Sequence, residues 1–255
     1  MKRLVTVGFW LWFLLTAPVC VVLGGLLWLV TLPVDRNRAA LHVFVCRWCH
    51  YLYLRAWPGW RVHVEGRELL PRGPAVIVSN HRSAADILCN MGLFHPFKFV
   101  AKASLFRTPM VGWLMTLMEY VPVVRGTADA MDKMLADCRK WLRRGVPVLI
   151  FPEGTYAPSL QPLPFKRGAF RLAIEEQVPV VPVVLEGTTE VLDGDGPWMG
   201  PWARVRVRVL PPVPPESLGR DEVALAERVR GLYFQALELP PLPQGSGEER
   251  KDQCA

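Results

Sequence analysis

Ser79-Asn80-His81-Arg82-Ser83-Ala84-Ala85-Asp86 sets an imidazole and a carboxylate five residues apart, directly after the apolar run Ala75-Val76-Ile77-Val78. On one continuous helix such positions lie about 140° apart, so the two groups meet only if His81 precedes the helix. Ser83 to Asp86 has the spacing of a capping box, with Ser83 at the N-cap and Asp86 at the third helical position, which puts His81 in the preceding loop. Asp86 can then hold one tautomer of His81 while the other ring nitrogen takes a proton from a hydroxyl, because an alcohol needs a base to act as a nucleophile at neutral pH. The plainer alternative is a surface histidine beside a carboxylate that only closes the box.

A second segment, Val148-Leu149-Ile150-Phe151-Pro152-Glu153-Gly154-Thr155, reads as a buried strand ending in a sharp turn. Open α/β sheets bind ligands at that edge. Gly154 allows backbone amides close to an anion, and Glu153 is suited to accept from a polyol or to orient a cation. Lys166 and Arg167 stand just ahead of an expected helix, whose N-terminus adds a positive field, and Arg125 follows another short strand. Three cations at element ends suit a shared anion site, although each alone is an ordinary surface charge.

These side chains need a sheet to gather them. Apolar runs suggest strands at 62–64, 75–78, 98–101, 121–124, 146–151, 180–185 and 204–210. Helical stretches fall near 84–94, 106–118, 128–144, 167–177 and 221–237. The alternation predicts an α/β fold with a mostly parallel sheet flanked by helices. The strict Arg-Val alternation of 204–209 predicts one wet face and an edge position. Three regions are expected: membrane-anchoring helices at 1–57, an α/β domain at 58–239 and a polar, disordered tail at 240–255.

The N-terminal region is set apart by charge. No charged residue occurs from Leu4 to Val34, longer than the ~20 residues that cross a bilayer, so this reads as a membrane-embedded helical segment. Pro18, Gly24-Gly25 and Pro33 interrupt it, and basic residues flank both ends, which favours a hairpin that dips in and returns over a tilted single span. Residues 1–57 carry six basic side chains against one acid, so the basicity sits by the membrane and suits anionic headgroups rather than nucleic acid. The next stretch, 39–57, suits an interfacial helix. Within it Cys46-Arg47-Trp48-Cys49-His50 matches a c-type haem attachment pattern, and His42, Cys46, Cys49 and His50 share one helical face. One face does not wrap a tetrahedral metal, so no metal site is expected. The scattered cysteines read as small core residues or free thiols.

Asn80–Asp86, Val124-Arg125-Gly126, Phe151-Pro152-Glu153-Gly154-Thr155 and Val178-Pro179-Val180-Val181-Pro182-Val183 resemble, in order and spacing, the four signature blocks of the glycerolipid acyltransferase family, which includes the 1-acylglycerol-3-phosphate acyltransferases. The resemblance spans about residues 60–210. It implies transfer of a fatty acyl group from acyl-CoA or acyl-carrier protein to the free hydroxyl of a lysophospholipid, with lysophosphatidic acid giving phosphatidic acid. It also implies His81 as general base and Asp86 as its orienting partner, with Arg125, Glu153, Gly154, Thr155 and Lys166 holding the acceptor. Neither a cofactor beyond the donor nor a metal is implied. The expected location is the membrane, with the catalytic domain at the cytoplasmic face.

One position departs from the pattern. Members acting on lysophosphatidic acid commonly have Arg after Pro-Glu-Gly-Thr, and here Tyr156 stands there. Another lysophospholipid acceptor, or a non-enzymatic lipid-binding role, are therefore alternatives, and a haem or metal redox protein is a third. A serine hydrolase lacks its Gly-x-Ser-x-Gly elbow, and a P-loop is also missing.

Overall fold

The computed structural model describes residues 1–124, 126–194, 196–218 and 221–240. Seven strands, β1 (Trp60–Glu65), β2 (Val76–Ser79), β3 (Lys98–Lys102), β4 (Val121–Val123), β5 (Val148–Ile150), β6 (Val180–Glu186) and β7 (Ala203–Val209), form one sheet. Their order is β1-β7-β6-β2-β5-β3-β4, and only β6 and β7 pair antiparallel. The central strands are buried on both sides. Their period-two alternation sends Ile77, Leu149, Val181 and Val183 to one core, and Val76, Val78, Val148 and Val180 to the other.

The second core is capped by α5 (Ala128–Arg143), α6 (Gly168–Glu175) and α8 (Glu222–Ala236). The first core is covered by the N-terminal helices together with α3 (Ala85–Met91) and α4 (Val111–Leu117). A short α7 (Thr188–Val191) follows β6.

β7 is not at an edge, contrary to the sequence expectation. It lies between β1 and β6, and β1 and β4 form the borders. Its alternation correctly marks one exposed face, but an inner strand with one solvated face shows the same period. The arginines on that face pair with acids of its neighbours: Arg208 with Glu186 at 2.6 Å and Arg206 with Glu65 at 3.6 Å.

The uncharged N-terminal run does not fold back on itself within its first helix. α1 (Lys2–Thr31) is one continuous helix of 30 residues that passes through Pro18 and both glycines. The chain reverses at 32–38 and returns as α2 (Ala39–Trp48) and a π-helical segment, Cys49–Arg55. The two arms run antiparallel: Trp12 donates to the Leu52 carbonyl, Thr16 meets the Tyr53 hydroxyl, and Gly24 packs against Leu41. Gly24 therefore serves close helix packing rather than a turn.

The linker is fastened to the domain. Asp35 accepts from the Ala39 and Ala40 amides, Lys98 Nζ donates to the Asn37 carbonyl at 2.9 Å, and Arg38 pairs with Glu119 at 3.0 Å. Arg125 and the tail beyond residue 240 lie outside the described residues.

Candidate active site

His81 and Asp86 meet behind the carboxyl end of β2. Asn80 continues the β2–β6 pairing with its side chain, donating Nδ2 to the Leu185 carbonyl at 2.9 Å and accepting the Leu185 amide at 2.7 Å. The chain then leaves the sheet, and His81 folds back over the first turn of α3. Nδ1 of His81 lies 2.8 Å from Asp86 Oδ2, which also accepts the amides of Arg82 at 2.6 Å and Ser83 at 2.9 Å. Asp86 is fully buried and His81 nearly so.

Three donors on one carboxylate oxygen hold it in place. That bond selects the Nδ1–H tautomer and leaves Nε2 as the free proton acceptor. The capping box forms by half: Asp86 takes the Ser83 amide, but the Ser83 hydroxyl bonds the Ala85 amide and donates to the Leu192 carbonyl. The helix begins at Ala85, with Ala84 rather than Ser83 at its N-cap.

The loop after β5 closes over the histidine. Phe151 stacks on the imidazole with centroids 3.9 Å apart at 13°, and Tyr156 covers it at 4.3 Å. Gly154 has φ +71°, a conformation that favours glycine, and a Cβ there would meet Lys166 Cε at 2.8 Å, so Lys166 lies directly over it.

Glu153 turns both carboxyl oxygens onto backbone amides. Its oxygens accept the amides of His81 and Leu163, both at 2.9 Å, and only 3 % of the residue is exposed. Burial pushes its carboxyl up to about 7, against the pull of the two amides.

A cavity of about 780 Å³ opens on His81. One part of its wall is apolar and contains Phe13, Ala17 and Cys20 of α1, Val45 of α2 and Leu114 of α4. Another contains Thr155, Lys166 and Arg167. The structure thus gathers His81, Gly154, Thr155 and Lys166 at one site, with Asp86 behind the imidazole. Lys102 and Arg171 line the same cavity and were not expected. Lys102 ends β3, so the rule that drew attention to the ends of β2 and β5 would have found it; Arg171, inside α6, carried no such signal.

The haem-like motif is dispersed. His42 bonds the Tyr120 hydroxyl at 2.9 Å, Cys46 Sγ lies 3.3 Å from Met91 Sδ, and His50 packs edge-on to Phe94.

A buried His–Asp pair opening on an apolar cavity with cations in its wall suits an enzyme that activates a hydroxyl beside a greasy, anionic substrate. The acyltransferase family model matches residues 61–186. The 1-acyl-sn-glycerol-3-phosphate acyltransferase alpha of Bos taurus is 37% identical over 250 residues, 95% of this chain and 82% of its own length. A chloroplastic 1-acyl-sn-glycerol-3-phosphate acyltransferase of Brassica napus is 32% identical over 80% of this chain, and the match spans 58% of that protein. The crystal structure of the 1-acyl-sn-glycerophosphate (LPA) acyltransferase PlsC from Thermotoga maritima superposes with a TM-score of 0.74 at 27% identity, covering 93% of this chain and 97% of that one. The chain belongs to the 1-acyl-sn-glycerol-3-phosphate acyltransferases.

Proposed function

We propose that this protein transfers a fatty acyl group from acyl-CoA or acyl-carrier protein to the free hydroxyl of 1-acylglycerol-3-phosphate, giving phosphatidic acid. The observation that carries this reading is the His81–Asp86 pair opening on a cavity that is apolar toward α1 and cationic at Lys166 and Arg167. The cationic wall takes the phosphate and the apolar wall takes acyl chain.

His81 Nε2 removes the hydroxyl proton as the oxygen attacks the thioester carbonyl. The C–O bond forms, the C–S bond breaks, and the imidazolium returns its proton to the departing thiolate. Asp86 stabilises the imidazolium through Nδ1–H. No group beyond the two substrates is needed for this balance.

Arg125, Thr155 and Lys166 are proposed to hold the acceptor, with the Gly154 backbone letting Lys166 approach. Tyr156 over the imidazole, where a guanidinium is common in the family, motivates a second reading in which the acceptor is a lysophospholipid with a larger headgroup. A panel of lyso-acceptors with one labelled donor separates the two. His81→Ala is expected to abolish product in either case while the protein still folds; normal turnover by that variant would falsify the mechanism. Absence of any thioester-dependent product from purified wild-type protein would leave lipid binding as the role.

Membrane association is supported by α1, which is long and apolar enough to cross a bilayer. α1 is, however, pinned to the domain near both ends, by Thr6 accepting the Met199 amide and by Gly24 against Leu114. Those points are about 27 Å apart at 1.5 Å per residue, nearly the depth of a hydrocarbon core. This supports a helix lying along the bilayer surface with the catalytic domain on one side, and the basic flanks favour the cytoplasmic face for it.

A further inference from the structure

We propose that Glu153 is a positioning residue for His81, holding the backbone of the general base, and that it does not touch the acyl acceptor. This rests on His81 being the general base. The cavity wall includes Pro152, Gly154, Thr155 and Tyr156 but skips Glu153, whose carboxylate points the other way, into the protein. There Oε1 accepts the His81 amide and Oε2 accepts the Leu163 amide.

The same loop also donates the Ala157 amide to the His81 carbonyl at 2.7 Å, so both backbone polar groups of His81 end on the segment that follows β5. His81 has left the sheet, and no strand partner fixes it. Its ring orientation is set by Asp86, from α3, but its Cα position is set by Glu153.

The chemistry of the residue fits the task. Both partners are donors, and the two carboxyl oxygens of one glutamate take one amide each, so one side chain satisfies two amides from two loops. A glutamine keeps the shape but turns one of its ends into a donor facing an N–H. A residue that bound a polyol would need an oxygen directed at the cavity, and Glu153 does not line it.

The test is steady-state kinetics of Glu153→Gln on the full chain in lipid or detergent micelles, with lysophosphatidic acid varied at saturating acyl donor. A displaced base lowers kcat by roughly 10²-fold, with KM for the acceptor unchanged. A raised acceptor KM with kcat unchanged would overturn the proposal, since that is the mark of a lost binding contact. Should the glutamine variant fail to fold, Glu153→Asp serves: it keeps the charge but withdraws it by one methylene, and wild-type kcat in that variant would equally overturn the proposal. Wild-type turnover, measured alongside, and the loss of turnover in His81→Ala test the acyltransferase reading separately.

Discussion

At His81 three kinds of restraint converge: a carboxylate on Nδ1, an aromatic ring on each of two sides, and loop bonds on its backbone. Removing the first while keeping its shape isolates its role. Asp86→Asn is expected to lower kcat by roughly 10²- to 10⁴-fold, because a carboxamide stabilises the imidazolium poorly; stopped assays with radiolabelled donor measure this.

Glu153 carries a pH signature as well. Its carboxyl rises from the usual value near 4.5 to about 7 in the fold, so between those limits the native state binds more protons than the unfolded chain. Stability from this group is therefore full at low pH and falls as pH rises through that window, by about 3 kcal/mol in all. Chemical denaturation of wild type and Glu153→Gln at several pH values should show this slope in the former and its loss in the latter.

At the scale of elements, the site depends on how β2 and β5 end. Asn80 ties the β2 exit to β6 through two bonds, and removing its side chain leaves both polar groups of Leu185 without those partners. Asn80→Ala is expected to cost about 2 to 4 kcal/mol, read from the denaturation midpoint, and to lower kcat with it.

Gly154→Ala would place a side chain at φ +71° and against Lys166. The expected destabilisation is about 1 to 3 kcal/mol. The acceptor KM should also rise, because Lys166 is displaced from over the turn; a substrate titration of the purified variant checks this.

Across the whole molecule, most of the large exposed apolar side chains among the described residues lie on α1. Leu11, Leu15, Val22, Leu26 and Leu29 form its free side, and Trp198 and Trp202 lie at one end, where Trp10 donates to the Pro197 carbonyl. Indoles settle at the headgroup level of bilayers. Replacing Trp198 and Trp202 together by Ala should weaken partitioning onto anionic vesicles roughly tenfold, about 1.4 kcal/mol, measured by sedimentation, while turnover of a substrate dispersed in micelles is retained. The same arrangement makes α1 a wall of the catalytic cavity, since Phe13, Ala17 and Cys20 face it.

All seven strands, five helices of the α/β domain, the helical character of the N-terminal region and the His81–Asp86 partnership were legible in the sequence, because strand and helix periods, strand-end polarity and a five-residue spacing are local properties of the chain. The order of the strands was not. Strict alternation in β7 reports one wet face but not which neighbours flank it, so an inner strand passed for an edge. The unbroken course of α1 was not legible for a related reason: glycines that break an isolated helix are tolerated in α1 because another helix packs against Gly24. Glu153 shows the limit most plainly. Its type and its place after a strand suggest a ligand-binding carboxylate, but the direction it points depends on amides at His81 and Leu163, brought to it from either side in sequence only by tertiary folding.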